Sequence, residues 1–139
     1  MLTGEYRCTV DVKGRMNFPA RFRDEVGLRF VVARWLDHAL SVMPEDRFDA
    51  MIGELTAKQP VKARGLKRFF YSGATVVEPD KQGRILLPQA LREYAGIEKD
   101  AVVIGVGDKA EIWSADNWQA QNESFDAEEI AAMMEDMEL

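Results

Sequence analysis

Residues 11–23 read DVKGRMNFPARFR, and residues 80–92 read DKQGRILLPQALR. Both stretches hold an Asp, a Gly-Arg pair, a Pro four residues after that Arg and a second Arg, all at the same spacing. The matched pairs are Asp11 and Asp80, Gly14 and Gly83, Arg15 and Arg84, Pro19 and Pro88, Arg23 and Arg92, and Gly27 and Gly96. Identities at constant spacing over this length indicate that the chain contains two copies of one module.

The same order of secondary structure is expected in each copy. A strand at 6–12 or 74–78 runs into a turn at Gly14 or Gly83, where glycine accepts a positive φ. A second short strand follows and places its Arg on the face opposite its apolar residues. A proline then begins a short helix, which a glycine ends. The later strands are predicted at 15–18, 30–35 and 39–43 in the first copy, and at 84–87, 101–106 and 110–113 in the second.

The predicted fold class is α+β and β-rich, with the two halves forming one domain. A strand–turn–strand–helix half has too few elements to close a core of its own. We therefore expect the halves to pair pseudo-symmetrically, each supplying strands to the other. The expected division is a first module at 5–48, a helical insert at 49–73, a second module at 74–118 and an acidic tail at 119–139.

The insert is predicted to be helical from its apolar spacing. After Pro44, a stripe recurs at i, i+3, i+4 and i+7, as on one face of a helix. The stripe consists of Phe48, Met51, Ile52 and Leu55.

A basic stretch at 61–71 follows, in which Leu66, Phe69 and Phe70 alternate with basic residues. Two interpretations stay open: a helix whose charges contact phosphates, or a solvated helix whose apolar residues pack inward. The second is slightly favoured. The basic residues are Lys62, Arg64, Lys67 and Arg68.

The end of the chain is acidic. A short helix after Trp113 is expected to hold Trp118. Beyond it, apolar residues at helical spacing face a row of Glu and Asp, so we expect an acidic helix or tail that contacts a partner or shields the basic surface. The apolar residues are Ile130, Met133, Met134 and Met137.

The net charge of −6 conceals a strong polarity along the chain. Residues 1–92 hold 16 Lys and Arg against 11 Asp and Glu, whereas residues 93–139 hold 2 against 13. No basic residue follows Lys109. A mildly basic body with an acidic end is compatible with nucleic-acid binding, because only one face needs to be basic.

An enzyme is not expected. No CxxC, HExxH, GxSxG, P-loop or GxGxxG motif occurs, and one His with one Cys cannot build a zinc site, so neither a metal nor a cofactor is predicted. His38 beside Asp37 is interpreted as a polar turn residue, and Cys8 as filling a strand face. Asp11 and Asp80 could be imagined as an acid–base pair, but Asp at a turn normally binds nearby backbone or an Arg.

A cytoplasmic protein is expected. No apolar run is long enough to span a bilayer, the first residues lack the features of a signal peptide, and a single cysteine suits a reducing compartment.

The two Gly-Arg turns are the candidate DNA-binding elements. A turn projects an Arg away from the body, and its planar fork suits guanine or phosphate. The glycines would let backbone approach the duplex, and the neighbouring residues would add phosphate or adenine contacts. The predicted DNA-binding residues are Lys13, Gly14, Arg15, Lys81, Gln82, Gly83 and Arg84, shaped by Asp11, Pro19, Asp80 and Pro88.

At these residues the chain resembles the MraZ family, bacterial regulators with two AbrB-like swapped-hairpin modules. DKQGRILLP at 80–88, LREYAGI at 91–97 and GVGDKAEIW at 105–113 are the most specific matches. The resemblance covers about residues 1–121; Asn17 departs from the small hydroxyl residue expected there.

The resemblance implies a ring-shaped homo-oligomer that binds direct repeats of double-stranded DNA in the promoter of its own division and cell-wall gene cluster, mostly as a repressor associated with the nucleoid. It implies no membrane and no small-molecule substrate. An antitoxin-like module, which binds a partner protein through the acidic tail, is the alternative.

Overall fold

The structure is a computed structural model that describes residues 1–138; residue 139, the end of the expected acidic tail, lies outside the described residues. The strands are β1 (Glu5–Thr9), β2 (Arg15–Asn17), β3 (Phe30–Arg34), β4 (Leu40–Met43), β5 (Ala74–Val77), β6 (Arg84–Leu86), β7 (Asp100–Gly105) and β8 (Ala110–Ser114). The helices are α1 (Ala20–Val26), α2 (Glu45–Lys58), α3 (Ala63–Ser72), α4 (Gln89–Ala95), α5 (Ala115–Glu123) and α6 (Ala127–Asp136). A single 3₁₀ turn occupies Leu36–His38.

The predicted order of elements is confirmed in both copies. The first strand is shorter than expected: β1 ends at Thr9, and Val10 forms only an isolated bridge with Met16. Val12, which was included in that strand, is 98% exposed, because the chain has already entered the turn at Asp11. Gly27 and Gly96 end α1 and α4 with positive φ, as predicted.

Six strands form one antiparallel sheet in the order β1-β7-β8-β4-β3-β5. Strands β1, β3 and β4 of the first copy correspond to β5, β7 and β8 of the second. If each strand is replaced by its counterpart, the same strand order results, read from the opposite edge of the sheet. Each half gives an edge strand to the other: β1 pairs with β7, and β5 pairs with β3. The pseudo-symmetric α+β fold with exchanged strands is therefore confirmed.

The halves share one hydrophobic core. Met16, Phe18 and Phe22 of the first half pack in the same cluster as Ile85 and Leu87 of the second. All five are almost fully buried. Because burial of a large apolar side chain contributes about 1.5–3 kcal/mol, a shared core makes each half depend on the other for its stability.

Helices cover the opposite face of the sheet. Val31 and Ala33 of β3 face Phe48, Ile52 and Phe70, so α2 and α3 pack there with their apolar stripes inward. The inward packing of the apolar residues of α3 is thus confirmed. Over the second half, the helix expected after Trp113 is α5, whose Trp118 lies 5.5 Å from Trp113 between ring centroids.

The helices after β4 and β8 begin at equivalent places, Glu45 and Ala115, so the insert and the acidic end are counterparts in the two copies. They differ in packing, since α3 buries Phe70 whereas α6 buries no residue. Helix α2 crosses the expected boundary between 48 and 49, and the division of the chain stays a prediction. Within residues 1–138, no helix is long and apolar enough to cross a membrane.

Candidate nucleic-acid interface

The first Gly-Arg turn is organised by the carboxylate of Asp11. One oxygen accepts hydrogen bonds from the backbone N–H groups of Lys13 and Arg15, each 2.9 Å long. The other accepts from Nε of Arg15 at 3.0 Å. Gly14 has a φ of 88°, and its N–H donates to the carbonyl of Asp11. The aspartate therefore fixes both the turn and the direction of the arginine, as expected for Asp at a turn.

The second turn repeats this geometry. Asp80 accepts from the N–H groups of Gln82 and Arg84 at 2.9 Å each, and from Nε of Arg84 at 2.9 Å. Gly83 has a φ of 78° and donates to the carbonyl of Asp80. Corresponding hydrogen bonds in the two turns agree to within about 0.1 Å, so both copies hold their arginine in the same way.

Both aspartates are held in the ionised form. The backbone N–H of Arg15 lowers the pKa of Asp11 against an opposing effect of desolvation, and the Arg15 side chain lowers it further. Arg84 lowers the pKa of Asp80 in the same way. A general acid at neutral pH would need a raised pKa, so neither carboxyl has the character of one.

The two turns meet in an antiparallel ribbon formed by β2 and β6. Arg15 is paired with Leu86, and Asn17 with Arg84. Between them the pair Met16 and Ile85 points into the core and is buried. Since side chains alternate along a strand, the four outer residues share the exposed face of the ribbon, and both arginines lie on it.

The cationic ends of these arginines are free to bind a ligand. Each Nε is engaged by its aspartate, and among the described residues the terminal Nη atoms have no hydrogen-bond partner. The side chains of Arg15 and Arg84 are 36% and 32% exposed. Lys13, Lys81 and Gln82 flank them and are exposed, so the β2–β6 ribbon presents cations and amide groups to solvent.

The two glycines, in contrast, are buried. A Cβ placed on Gly14 would lie 2.8 Å from the carbonyl oxygen of Leu87, and one on Gly83 would lie 2.8 Å from Nη1 of Arg23. Glycine is thus required at both positions for two reasons: the backbone has a positive φ, and the opposite half packs where a side chain would lie. The backbone approach to a duplex that the sequence suggested for these glycines is not favoured by their burial.

Arg23 and Arg92 lie against the two Gly-Arg turns, although the sequence analysis did not include them among the candidate site residues. Arg92 of the second half lies against Gly14 of the first, and Arg23 of the first half lies against Gly83 of the second. The signal was present, because both arginines belong to the repeated pattern. Pro19 and Pro88 lie where expected, directly before α1 and α4.

The remaining polar candidates, His38 and Cys8, are not among the residues of the ribbon. Nδ1 of His38 lies 3.1 Å from the carbonyl of Tyr94, and its ring packs on that tyrosine. Burial raises the pKa of Cys8 to about 11, which keeps it as an unreactive thiol. Within the part of the chain that is described, no group of three His, Cys, Asp or Glu side chains is placed to hold a metal ion.

Comparison with known proteins agrees with this architecture. The family model for "MraZ protein, putative antitoxin-like" matches the chain twice, at residues 1–69 and 70–139. The chain belongs to the MraZ family. Its two matches begin 69 residues apart, the same offset as the repeated turns.

Curated MraZ proteins are similar over nearly the whole chain. The transcriptional regulator MraZ of Desulfitobacterium hafniense is 50% identical over 135 residues, covering 95% of this chain and 92% of that protein. Those of Moorella thermoacetica and Syntrophomonas wolfei are 44% and 42% identical, each covering at least 99% of both chains. Membership in the MraZ family makes this chain a transcription regulator, a class of protein that is not enzymatic.

Proposed function

We propose that the chain binds double-stranded DNA sequence-specifically through the exposed face of the β2–β6 ribbon. The observation that carries the proposal is the placement of Arg15 and Arg84 on one face of that ribbon, each oriented by its own aspartate. A two-stranded ribbon fits the major groove, which is about 12 Å wide. Free Nη atoms on an oriented guanidinium suit the O6 and N7 acceptors of guanine.

The residues of each turn have separate roles. Arg15 and Arg84 read base edges, Lys13 and Lys81 contact phosphates, and Gln82 reads adenine or contacts a phosphate. Asp11, Asp80, Pro19 and Pro88 shape the turns and the helix starts. Gly14 and Gly83 belong to the interface because they bring the arginines to the surface.

The resemblance to the MraZ family supports the proposed DNA target and assembly. The target is a set of direct repeats in the promoter of the chain's own division and cell-wall gene cluster, and binding there represses the cluster. A ring-shaped homo-oligomer presents several ribbons to successive repeats, so that modest single contacts sum to avid binding. Such a protein acts in the cytoplasm at the nucleoid. The modules at 5–48 and 74–118 carry the ribbon, while 49–73 and 119–139 lie outside it.

The test is a gel-shift with DNA from immediately upstream of the chain's own gene, at stated salt, against the same DNA with scrambled repeats. We expect retardation of the native DNA at protein concentrations at least tenfold lower, because specific binding exceeds non-specific binding by roughly 10³–10⁷. Equal affinity for both DNAs at all salt concentrations would contradict sequence-specific binding.

Partner binding by the acidic end is the second candidate function, and the exposed apolar side of α6 favours it. Ile130, Met133, Met134 and Met137 are 43–67% exposed. Deletion of residues 122–139 distinguishes DNA binding by the ribbon from partner binding by the acidic end. The DNA probe should carry a single repeat, because binding to one repeat does not depend on assembly of the oligomer. Retained binding to that probe supports the ribbon, whereas loss of a co-purifying protein partner supports the second function.

A further inference from the structure

The two Gly-Arg turns are each supported by an arginine from the other half. A Cβ on Gly14 would lie 3.1 Å from both Cζ and Nε of Arg92. A Cβ on Gly83 would lie 2.9 Å from Cζ of Arg23. Contacts this close show that each guanidinium group occupies the space beside its glycine that the side chain of any other residue would need.

Backbone hydrogen bonds run across the halves at the same places. The N–H of Leu87 donates to the carbonyl of Gly14 at 2.8 Å, and the N–H of Phe18 donates to the carbonyl of Gly83 at 3.0 Å. Each glycine is therefore held on one side by its own aspartate turn and on the other by the opposite half. The position of the arginine that follows each glycine therefore depends on both the aspartate turn and the opposite half.

The two supports are not equal. Nε of Arg92 donates to the carbonyl of Leu87 at 2.9 Å, which ties that arginine to the segment that holds Gly14. Nε of Arg23 is buried and has no hydrogen-bond partner among the described residues. Arg92 thus holds the first turn with a hydrogen bond as well as by packing, whereas Arg23 holds the second turn by packing alone.

We infer that Arg23 and Arg92 are positioning residues that act across the halves: Arg23 sets the orientation of Arg84, and Arg92 sets that of Arg15. This inference rests on the proposed DNA-binding function of the ribbon. Neither arginine needs to touch DNA for the effect, because each contacts the glycine that directly precedes a DNA-reading arginine.

The coupling pattern in DNA affinity tests the inference. Loss of Arg23 should already remove most of what Arg84 contributes, so Arg23→Ala with Arg84→Ala should bind as weakly as Arg84→Ala alone, within about twofold. Arg23→Ala with Arg15→Ala should show the product of the single fold-losses. The effect of Arg92→Ala should overlap with that of Arg15→Ala and multiply with that of Arg84→Ala.

Independent fold-losses in every double variant would overturn the inference, since they would mean that Arg23 and Arg92 contact phosphates directly. Coupling of Arg23 to Arg15 of its own half would overturn it as well.

A conservative variant separates positioning from charge. Arg23→Lys and Arg92→Lys keep the positive charge but lose the planar group that packs on the glycine. We expect both to weaken specific binding several-fold, and Arg92→Lys to act more strongly because it also loses the bond to Leu87. Wild-type affinity in both lysine variants would overturn the inference.

Amide hydrogen exchange of the full-length protein without DNA gives a readout that does not depend on the proposed function. Arg23→Lys should raise the exchange rate at Gly83 and Arg84 and leave Gly14 and Arg15 unchanged, and Arg92→Lys should do the reverse. If the wild-type protein fails to bind the promoter but shows this exchange pattern, the proposed function fails and the positioning stands. Unchanged exchange rates at all four amides would overturn the positioning inference and leave the proposed function intact.

Discussion

Arg15 and Arg84 lie diagonally across the β2–β6 ribbon, since Arg15 pairs with Leu86 and Arg84 pairs with Asn17. Two residues along a strand span about 6.6 Å, which is close to the rise of two base pairs. The two arginines are thus offset by two residues along the ribbon, a spacing that fits the proposed contact with neighbouring base pairs of one groove.

Substitution of either arginine should weaken specific DNA binding without unfolding the protein. Arg15→Ala or Arg84→Ala should each cost about 1–3 kcal/mol, the value of one lost guanine contact. Fluorescence anisotropy at fixed salt measures the loss, and circular dichroism checks the fold. Arg47→Ala is the matched control, because it also removes one positive charge. Arg47 lies on α2 and forms an exposed ion pair with Asp108. If Arg47→Ala weakens binding as much as the ribbon variants, the effect is net charge and not base reading.

Removal of Asp80 distinguishes positioning from simple electrostatics. Loss of a negative charge beside DNA should strengthen binding on charge grounds. Asp80→Ala also removes two hydrogen bonds from Arg84 and one from the backbone N–H of Gln82, which together shape the turn and orient Arg84. We expect the positioning to dominate, so that affinity for the promoter falls. Asp24→Ala is the control, because Asp24 is an exposed acidic residue on the neighbouring helix α1. This variant should leave DNA affinity unchanged or slightly higher. Tighter binding by Asp80→Ala would contradict the assigned role.

The same aspartate has a predictable pH dependence. Its folded-state pKa lies below the ordinary value of 3.8, chiefly because the N–H of Arg84 donates to it. A lowered folded pKa means that the carboxylate stabilises the turn fully above the unfolded value and loses this effect as pH falls through the folded value. Protection of the Arg84 amide, measured against its intrinsic exchange rate at each pH, should therefore be insensitive to Asp80 ionisation from pH 5 upward and fall only below pH 3.8. NMR titration of the Asp80 carboxyl checks the direction, and a midpoint above 3.8 would refute it.

Alanine at glycine positions should have opposite effects in the turn and in a helix. Gly14→Ala forces a positive φ on a residue with a side chain, which costs about 1–2 kcal/mol, and brings Cβ against the backbone of Leu87. Gly53→Ala in α2 meets nothing within 4 Å and should stabilise by about 0.5–1 kcal/mol. Urea unfolding measures both, and a neutral Gly14→Ala would mean that the turn is not constrained as described.

The thiol of Cys8 should react slowly in the folded protein. Burial raises its pKa to about 11, so the thiolate is scarce at pH 8. Alkylation by iodoacetamide should be roughly a hundredfold slower in the folded protein than in urea, because the thiolate is the reacting form. Similar rates in both states would show that the residue is accessible and its pKa unperturbed.

Much of the fold could be predicted because the duplicated pattern encodes local structure. Asp, Gly and Pro at fixed spacing specify a turn and a helix start through backbone chemistry alone, so these roles were readable at Asp11, Gly14 and Pro19. The sharing of strands was also expected, since one half cannot close a core. Registers such as Arg15 opposite Leu86 depend on packing over the whole core, and the local pattern does not contain them.

The part of the site that sequence reasoning missed depends on contacts across the halves. Arg23 is 60 residues from Gly83, and only the assembled fold shows that its guanidinium lies on that glycine. The equivalence of α2–α3 with α5–α6 was hidden for another reason. Helices α2 and α3 together hold five Lys and Arg against four Asp and Glu, whereas α5 and α6 hold none against six, and this difference in charge concealed the correspondence.

The exchange of strands between two covalently joined halves also bears on the kind of DNA sequence that the ribbon would read under the proposed function. A dimer of identical chains presents the same surface twice and is matched to a palindrome. Here the two strands differ on the exposed face of the ribbon, because Asn17 of β2 corresponds to Leu86 of β6. Joining the copies in one polypeptide freed each to change alone, so that the two ends of the ribbon are unequal. Under the proposed function, such a ribbon distinguishes the two directions along a duplex, and direct repeats would place successive ribbons in the same orientation along the promoter.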